Sequence, residues 1–474
     1  MLLNKNPSRS GMSAALLLLS VTFALPVAAQ SFRVQCPAQT SMHSKASDPG
    51  QIKCQEIAGG DGYATMGDGT QMYLFGFGPL SGLPDIKAGL PGTQLASVFN
   101  DPNNANSAKV EPADIMNNGV LSSNAPAPLI AIDEDDELFL TLSNVGQIMR
   151  PDLFEQHTVH FHGYPNASSF FDGVPDASVA INIAGSFTYY YTAPDAGSYF
   201  WHCHIAPPEH LQMGMVGQLY VRPRQNRVAV GSDLSAALAL ANQKSPLGLA
   251  SSTPYDGKAC LDILCTGQTP VPPISAARAP GGVMYAYNDG DSSTRYDVEY
   301  PIQIMGFDPN FHYVGMTFNP EAFADMKDKY YLLSGRGYPD TVNTDGPIMT
   351  LGADGTSRPS QPIASLVTIN KSAGKTRALL RISNLSVTEF STLATVGIPM
   401  TVIAQNARLL RDMAGHNLYY DTNSITLGGG ESTDVILDAS NTPVGTYFLY
   451  STNLDHLSND AENFGGMMTE IVVQ

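Results

Sequence analysis

The chain has 474 residues, 43 acidic against 25 basic, with 43% hydrophobic and 14% charged. That apolar fraction supports buried cores and excludes wholesale disorder, while 43 glycines and 33 prolines with so few charges are unlike a helical bundle or coiled coil. A formal charge of −18 argues against DNA or RNA as partner, because such binding needs a basic surface that displaces counterions, and it favours small cations.

In chain order, residues 1–29 carry Lys5 and Arg9, an apolar run over 14–25, then Pro26, Val27, Ala28 and Ala29, the pattern of a secretory signal peptide. Its apolar run of about 12 residues is too short to span a bilayer, and no later run is longer, so a soluble secreted or periplasmic protein with no membrane span is expected. Residues 30–66 read as a loop-rich N-terminal extension. Export permits disulfides, so Cys36 with Cys54 and Cys260 with Cys265 are plausible local pairs that leave Cys203 over; the sequence does not fix that pairing. Residues 67–224 form a first β domain, with strands expected over 137–142, 186–192 and 217–221. Residues 225–280, rich in Ala, Ser, Pro and Gly, read as a linker with a short helix over 234–242. Residues 281–474 form a second β domain, with strands over 377–383 and 433–437. The fold class is all-β, two tandem sandwiches.

The halves repeat each other. Leu140, Thr141, Leu142, Ser143 and Asn144 match Leu380, Arg381, Ile382, Ser383 and Asn384; Gly197, Ser198, Tyr199 and Phe200 match Gly445, Thr446, Tyr447 and Phe448; Gly214 and Met215 match Gly466 and Met467.

Chemistry concentrates in two segments of the first repeat. One runs from His157 through His160 to His162 and Gly163; the other is Trp201, His202, Cys203, His204, then His210 and Met215. Six of the ten histidines lie there. Side chains alternate along a strand, so His160 and His162 share a face opposite His157, and His202 and His204 share a face opposite Cys203. If the strands are adjacent, four imidazoles converge on one side while His157 and Cys203 meet on the other, with His210 and Met215 completing that second group. Two imidazoles, a thiolate and a weak thioether make the donor set of a blue copper electron-transfer site. A bare imidazole cluster suits copper that activates small molecules such as oxygen.

These segments resemble the copper motifs of the multicopper oxidase family, whose domains are cupredoxin-like Greek-key β-sandwiches. The phrase from Ser334 through Arg336 and Tyr338 to Thr341 extends the likeness into the second domain. The resemblance implies that His157, Cys203, His210 and Met215 are type 1 copper ligands. It further implies that His160, His162, His202 and His204 are half of the eight histidines around a type 2/type 3 centre, with Cys203, His202 and His204 carrying electrons between the two. A small donor, such as a metal ion or a phenol, would be oxidised and oxygen reduced. Two departures stand out. Five residues separate His204 from His210 where the family pattern has three. The internal alignment sets Met400, Ile403 and Gln405 against His157, His160 and His162, and Tyr450, Ser451 and Thr452 against His202, Cys203 and His204, so the second domain lacks copper ligands.

Three outcomes follow from the missing histidines. A homo-oligomer or a partner protein completes the cluster; or the chain is similar to copper nitrite reductase, with His456 of a neighbour substituting near Thr452; or it is a type 1 electron-transfer protein without turnover. Other features read blandly: His43, His312 and His416 as surface or hydrogen-bonded histidines, Trp201 as core packing, and residues 133–137 as a solvated acidic loop.

Overall fold

The computed structural model describes residues 32–163, 168–244, 275–315, 322–412 and 415–474. The signal segment and the pair Cys260 and Cys265 lie outside them.

The first half holds β1 (Ile52–Thr65), β2 (Gln71–Pro79), β3 (Gln94–Leu95), β4 (Ile130–Asp133), β5 (Glu137–Gly146), β6 (His160–His162), β7 (Ser186–Thr192), β8 (Gly197–His202) and β9 (Val216–Arg222). They make one sheet in the order β2-β1-β5-β7, with β3 on β1, and a second in the order β4-β9-β8-β6. Period-2 alternation puts Leu138, Leu140 and Leu142 of β5 on the inner face, where all three are fully buried with Trp201 and Leu219 from the facing sheet.

The second half holds β10 (Met284–Tyr285), β11 (Arg295–Tyr296), β12 (Val298–Phe307), β13 (Tyr330–Leu333), β14 (Ile348–Leu351), β15 (Ser357–Gln361), β16 (Val367–Ile369), β17 (Arg377–Asn384), β18 (Ser391–Val396), β19 (Met400–Gln405), β20 (Arg408–Leu409), β21 (Tyr420–Thr422), β22 (Ser424–Leu427), β23 (Ser432–Asp438), β24 (Gly445–Ser451) and β25 (Met468–Val473). Its sheets run β13-β12-β17-β23-β19-β20 and β16-β25-β24-β18-β22.

The two sandwiches share one topology. The parallel pair β1 and β5 recurs as β12 and β17, the parallel pair β4 and β9 as β16 and β25, and β6 on β8 as β18 on β24. This pairing corrects the internal alignment. His160 lies opposite His202, and Ala394 lies opposite Tyr450. The counterparts of His157, His160 and His162 are therefore Ser391, Ala394 and Val396. Met400, Ile403 and Gln405 belong to β19, in the other sheet; short alternating strands look alike in sequence, and only hydrogen-bonded register tells them apart.

Within 30–66, residues 32–51 carry neither helix nor strand, whereas 52–65 is β1, an integral strand of the first sheet; Cys36 and Cys54 form a disulfide that ties the two together. The linker helix spans Leu234–Lys244. The acidic run is not solvated: Glu134, Asp135, Asp136 and Glu137 are each 1% exposed or less. Arg224 and Arg227 pair with Asp135, at 2.8 and 2.7 Å, Asn288 donates to Glu134, and His43 contacts Glu137. Burial of these carboxyls is tolerated because Glu134, Asp135 and Glu137 meet side-chain partners distant in sequence, while Asp136 accepts from the Gln51 and Asp133 amides.

Between the sandwiches, the fully buried Arg381 reaches Glu299 (2.7 Å) and Asp434 (3.4 Å), and Ser198 of β8 donates to Asp434 (2.5 Å). Gln218 of β9 donates to the Arg381 carbonyl and the Ser383 hydroxyl.

Candidate metal centre

His157 sits on an isolated bridge to Ile181, Cys203 and His204 follow the end of β8, and His210 rides on the short helix Pro207–Gln212. The enlarged gap before His210 is taken up by Ala206, in a left-handed conformation (φ 36°), and the first turn of that helix. The loop closes on itself: Cys203 N donates to Met215 O (3.1 Å) and Met215 N to His210 O (2.8 Å).

Ligand atoms of His157, Cys203 and His210 lie within 4.8 Å of one another, and all three residues are fully buried. His210 Nδ1 is 3.3 Å from Cys203 Sγ, and the Thr158 amide donates to the same sulfur at 3.4 Å. Met215 is fully buried in the same core as Cys203. Among the described residues, neither ring nitrogen of His157 makes a hydrogen bond of good geometry, and the ring interacts with the Cys203 sulfur. Leaving such a group unmatched costs about 1–3 kcal/mol, so the donor set fits a metal ion better than a packed core. The seat for His157 is cut by Gly59, where a Cβ would come 2.8 Å from the ring.

The electrostatics favour the ligating form at Cys203 and His157, while at His210 they favour a proton that a bound metal would displace. Burial pushes the Cys203 thiol up, but the imidazoles of His210 and His157 outweigh it and hold it well below its usual range. Burial depresses His210, yet the Cys203 thiolate and Glu155 raise it overall; burial alone dominates at His157 and keeps it neutral. Glu155, 3.5 Å from His210 Nε2, was not singled out by sequence. Its only signal is its place two residues before His157.

The second group lies where strand alternation predicts. His160 faces His202 across β6 and β8, and ligand atoms of His160, His162 and His202 lie within 4.8 Å of one another. The His204 ring joins at 5.1 Å from His160 and 5.7 Å from His202, just outside that tighter trio. His160 Nδ1 donates to Asp172 O and His202 Nδ1 to Cys203 O, both at 2.7 Å. An imidazole that donates from Nδ1 carries its lone pair on Nε2, so both rings are set to bind through Nε2. Burial, with the neighbouring imidazoles, lowers His202 to about 3 and lowers His162 as well. His162 is exposed and borders a cavity of about 210 Å³ lined also by Phe200, Gly430 and Glu431, the last two from the second sandwich.

His456 does not face outward as a ligand for a neighbour. It is 2% exposed, stacks on Tyr331 (3.9 Å between rings) and contacts Ser451 and Glu389. His43 and His312 are buried and hydrogen-bonded, and His416 is exposed beside Asp412. Trp201 is core, stacked on Phe77.

Fold and site together define a tandem-cupredoxin metalloprotein, with a buried thiolate–imidazole centre next to an imidazole cluster. Multicopper oxidase family models match residues 104–226 and 323–472, together more than half of the sequence, and the chain belongs to the multicopper oxidase family, which implies copper as the cofactor. It is 30% identical over 140 residues to the multicopper oxidase MCE of Talaromyces pinophilus (29% of this chain, 22% of that protein). It is 32% identical over 80 residues to the multicopper oxidase MmcO of Mycobacterium tuberculosis (17% and 14%). The matched stretch is thus about a fifth of these relatives' length or less. The blue copper oxidase from Nitrosomonas europaea has the same fold (TM-score 0.51, 17% identity, 89% of this chain and 86% of that one), as does the multicopper oxidase mgLAC (TM-score 0.51, 15% identity, 90% and 86%).

Proposed function

We propose that the protein is an exported copper oxidoreductase that takes single electrons from a small donor and delivers them to oxygen. The observation that carries this reading is the pair of ligand groups joined by the unbroken run His202, Cys203, His204. His157, Cys203, His210 and Met215 would hold type 1 copper; His160, His162, His202 and His204 would supply half of a type 2/type 3 centre. Copper bound there would supply the reversible one-electron chemistry.

The chain's own residues do the rest. Cys203 spans both groups by covalent bonds, its side chain in one and its backbone neighbours in the other. Glu155 places a half-buried carboxylate beside His210 Nε2, which favours a cationic donor such as Mn(II), Fe(II) or Cu(I) over a neutral phenol. His160 and His202 hold their Nδ1 protons on carbonyls and present Nε2. Ser391, Ala394, Val396, Tyr450 and Thr452 occupy the matching positions of the second sandwich, so a second copy or a partner protein must bring the remaining histidines. The disulfide of Cys36 and Cys54 accords with a secreted or periplasmic setting.

Copper stoichiometry measured alongside native mass, with oxygen uptake on metal ions and phenols, tests the proposal. Expected are an assembly, more than one copper per chain, and uptake with a metal ion. A loaded assembly with one copper per chain and no uptake would leave an electron-transfer protein, and uptake on phenols alone would overturn the metal-ion donor.

A further inference from the structure

The second sandwich repeats the frame of the thiolate site contact by contact. In the first, Cys203 N donates to Met215 O (3.1 Å) and Met215 N to His210 O (2.8 Å); in the second, Ser451 N donates to Met467 O (2.9 Å) and Met467 N to His456 O (2.8 Å). His210 Nδ1 lies 3.3 Å from Cys203 Sγ, and His456 Nδ1 lies 3.3 Å from Ser451 Oγ. Beyond each ring stands a carboxylate, Glu155 at 3.5 Å from His210 Nε2 and Glu389 at 2.9 Å from His456 Nε2. The fourth position matches too. His157 is bridged to Ile181, whose carbonyl accepts from Asn144 Nδ2 (2.9 Å); Ser391 pairs with Leu427, whose carbonyl accepts from Asn384 Nδ2 (2.8 Å). Ser391, Ser451, His456 and Met467 are each 2% exposed or less.

We infer that the second sandwich contains a latent site for a copper-like cation, in which His456 and Met467 stand as imidazole and thioether while Ser451 and Ser391 occupy the places of a thiolate and a second imidazole. The inference rests on the reading of the Cys203 site as a copper site. A serine hydroxyl stays protonated and is a poor ligand for a soft cation, so the frame alone holds no copper tightly. One further position closes it. Gly59, which makes room for the His157 ring, lies opposite Asn144; the residue opposite Asn384 is Ile304, fully buried. Three side chains thus separate the frame from a full donor set.

The test starts from a full-length Cys203→Ser chain, whose first site lacks its thiolate, and adds Ile304→Gly, Ser391→His and Ser451→Cys. On Cu(II) loading, this variant is expected to bind one copper per chain more than its Cys203→Ser parent and to regain an intense thiolate-to-copper visible band, which a further His456→Ala removes. A variant folded by circular dichroism with neither extra copper nor band overturns the inference. If the triple change prevents folding, Ser451→Cys alone on the same parent decides by Co(II) titration. A cobalt–thiolate band saturating at one equivalent and lost with His456→Ala supports the latent site; its absence from the folded protein overturns it. The unaltered chain separates the two readings: a thiolate–copper band there with a silent variant sinks the latent site alone, and no band there sinks the copper reading and the latent site together.

Discussion

The His157 ring shows most plainly how residue chemistry decides this site. A buried imidazole whose nitrogens make no hydrogen bond of good geometry among the described residues, seated where Gly59 leaves room, is unfavourable unless a metal takes the lone pair. Cys203 supplies the charge, and its thiolate is stabilised by His210 and His157 over the opposing effect of burial. Cys203→Ser should abolish the visible band of the copper-loaded protein while leaving the far-ultraviolet spectrum intact; a retained band refutes the type 1 assignment. Glu155 acts on the donor side. Losing one partly solvated charge beside His210 is worth about 1 kcal/mol, so Glu155→Gln should raise KM for a cationic donor roughly five- to tenfold and leave a neutral phenol unaffected. Equal changes for both donors would refute a charge-selective role. The seven candidate donors and the methionine stood out because they crowd two short segments, whereas a single carboxylate two residues from His157 carries no such signal.

At the scale of elements, the helix Pro207–Gln212 carries His210, and the second sandwich clamps it. Gln212 Nε2 donates to Asp328 (2.9 Å), Gln212 Oε1 accepts from the Asp308 amide (3.1 Å), and His312 Nε2 lies 3.0 Å from the Gln212 carbonyl. Gln212→Ala strips the buried Asp328 of a donor and should cost about 1–3 kcal/mol in denaturant unfolding. Because the same helix aims His210, the visible band of the loaded protein should also shift or broaden; an unchanged band at lowered stability would make the clamp purely structural. Strands were readable from alternation alone, and β5, β7, β9, β17 and β23 lie where it put them. Sheet membership was not. β18 and β19 are both short alternating runs separated by three residues, and only pairing with β24 shows which one answers to β6. The acidic run at 133–137 was misread for a related reason: Arg224, Arg227 and Asn288, which bury it, lie about 90 residues or more further on.

Across the whole molecule, buried acids set how stability follows pH. Burial raises Glu56 to about 8, Asp136 to about 7 and Asp61 to about 6. Glu56 is the extreme: its Oε2 accepts from the Lys109 amide at 2.9 Å, while Oε1 makes no hydrogen bond of good geometry among the described residues. In each case the folded state holds its proton to higher pH than the unfolded chain, so the stabilisation is complete below the ordinary carboxylate range. It is lost as pH rises through the folded values. His312 works the other way, since burial lowers it to about 4 and the unfolded chain gains a proton first as pH falls below the usual histidine range. The two effects oppose each other in acid; between the histidine range and pH 8 the raised His210 and the lowered Cys203 shift in opposite senses and offset each other, which leaves the carboxylates to set the slope. The denaturation midpoint should therefore climb as pH is lowered from about 9 towards 6.5, by an amount on the order of a few kcal/mol in total. Glu56→Gln keeps an oxygen for the Lys109 amide and has no charge to desolvate, so it should flatten the upper part of that slope and stabilise the protein most at pH 9. A mutant as steep as the parent across this range would show that Glu56 ionises in the fold at no cost, and that its Oε1 is not the source of the dependence.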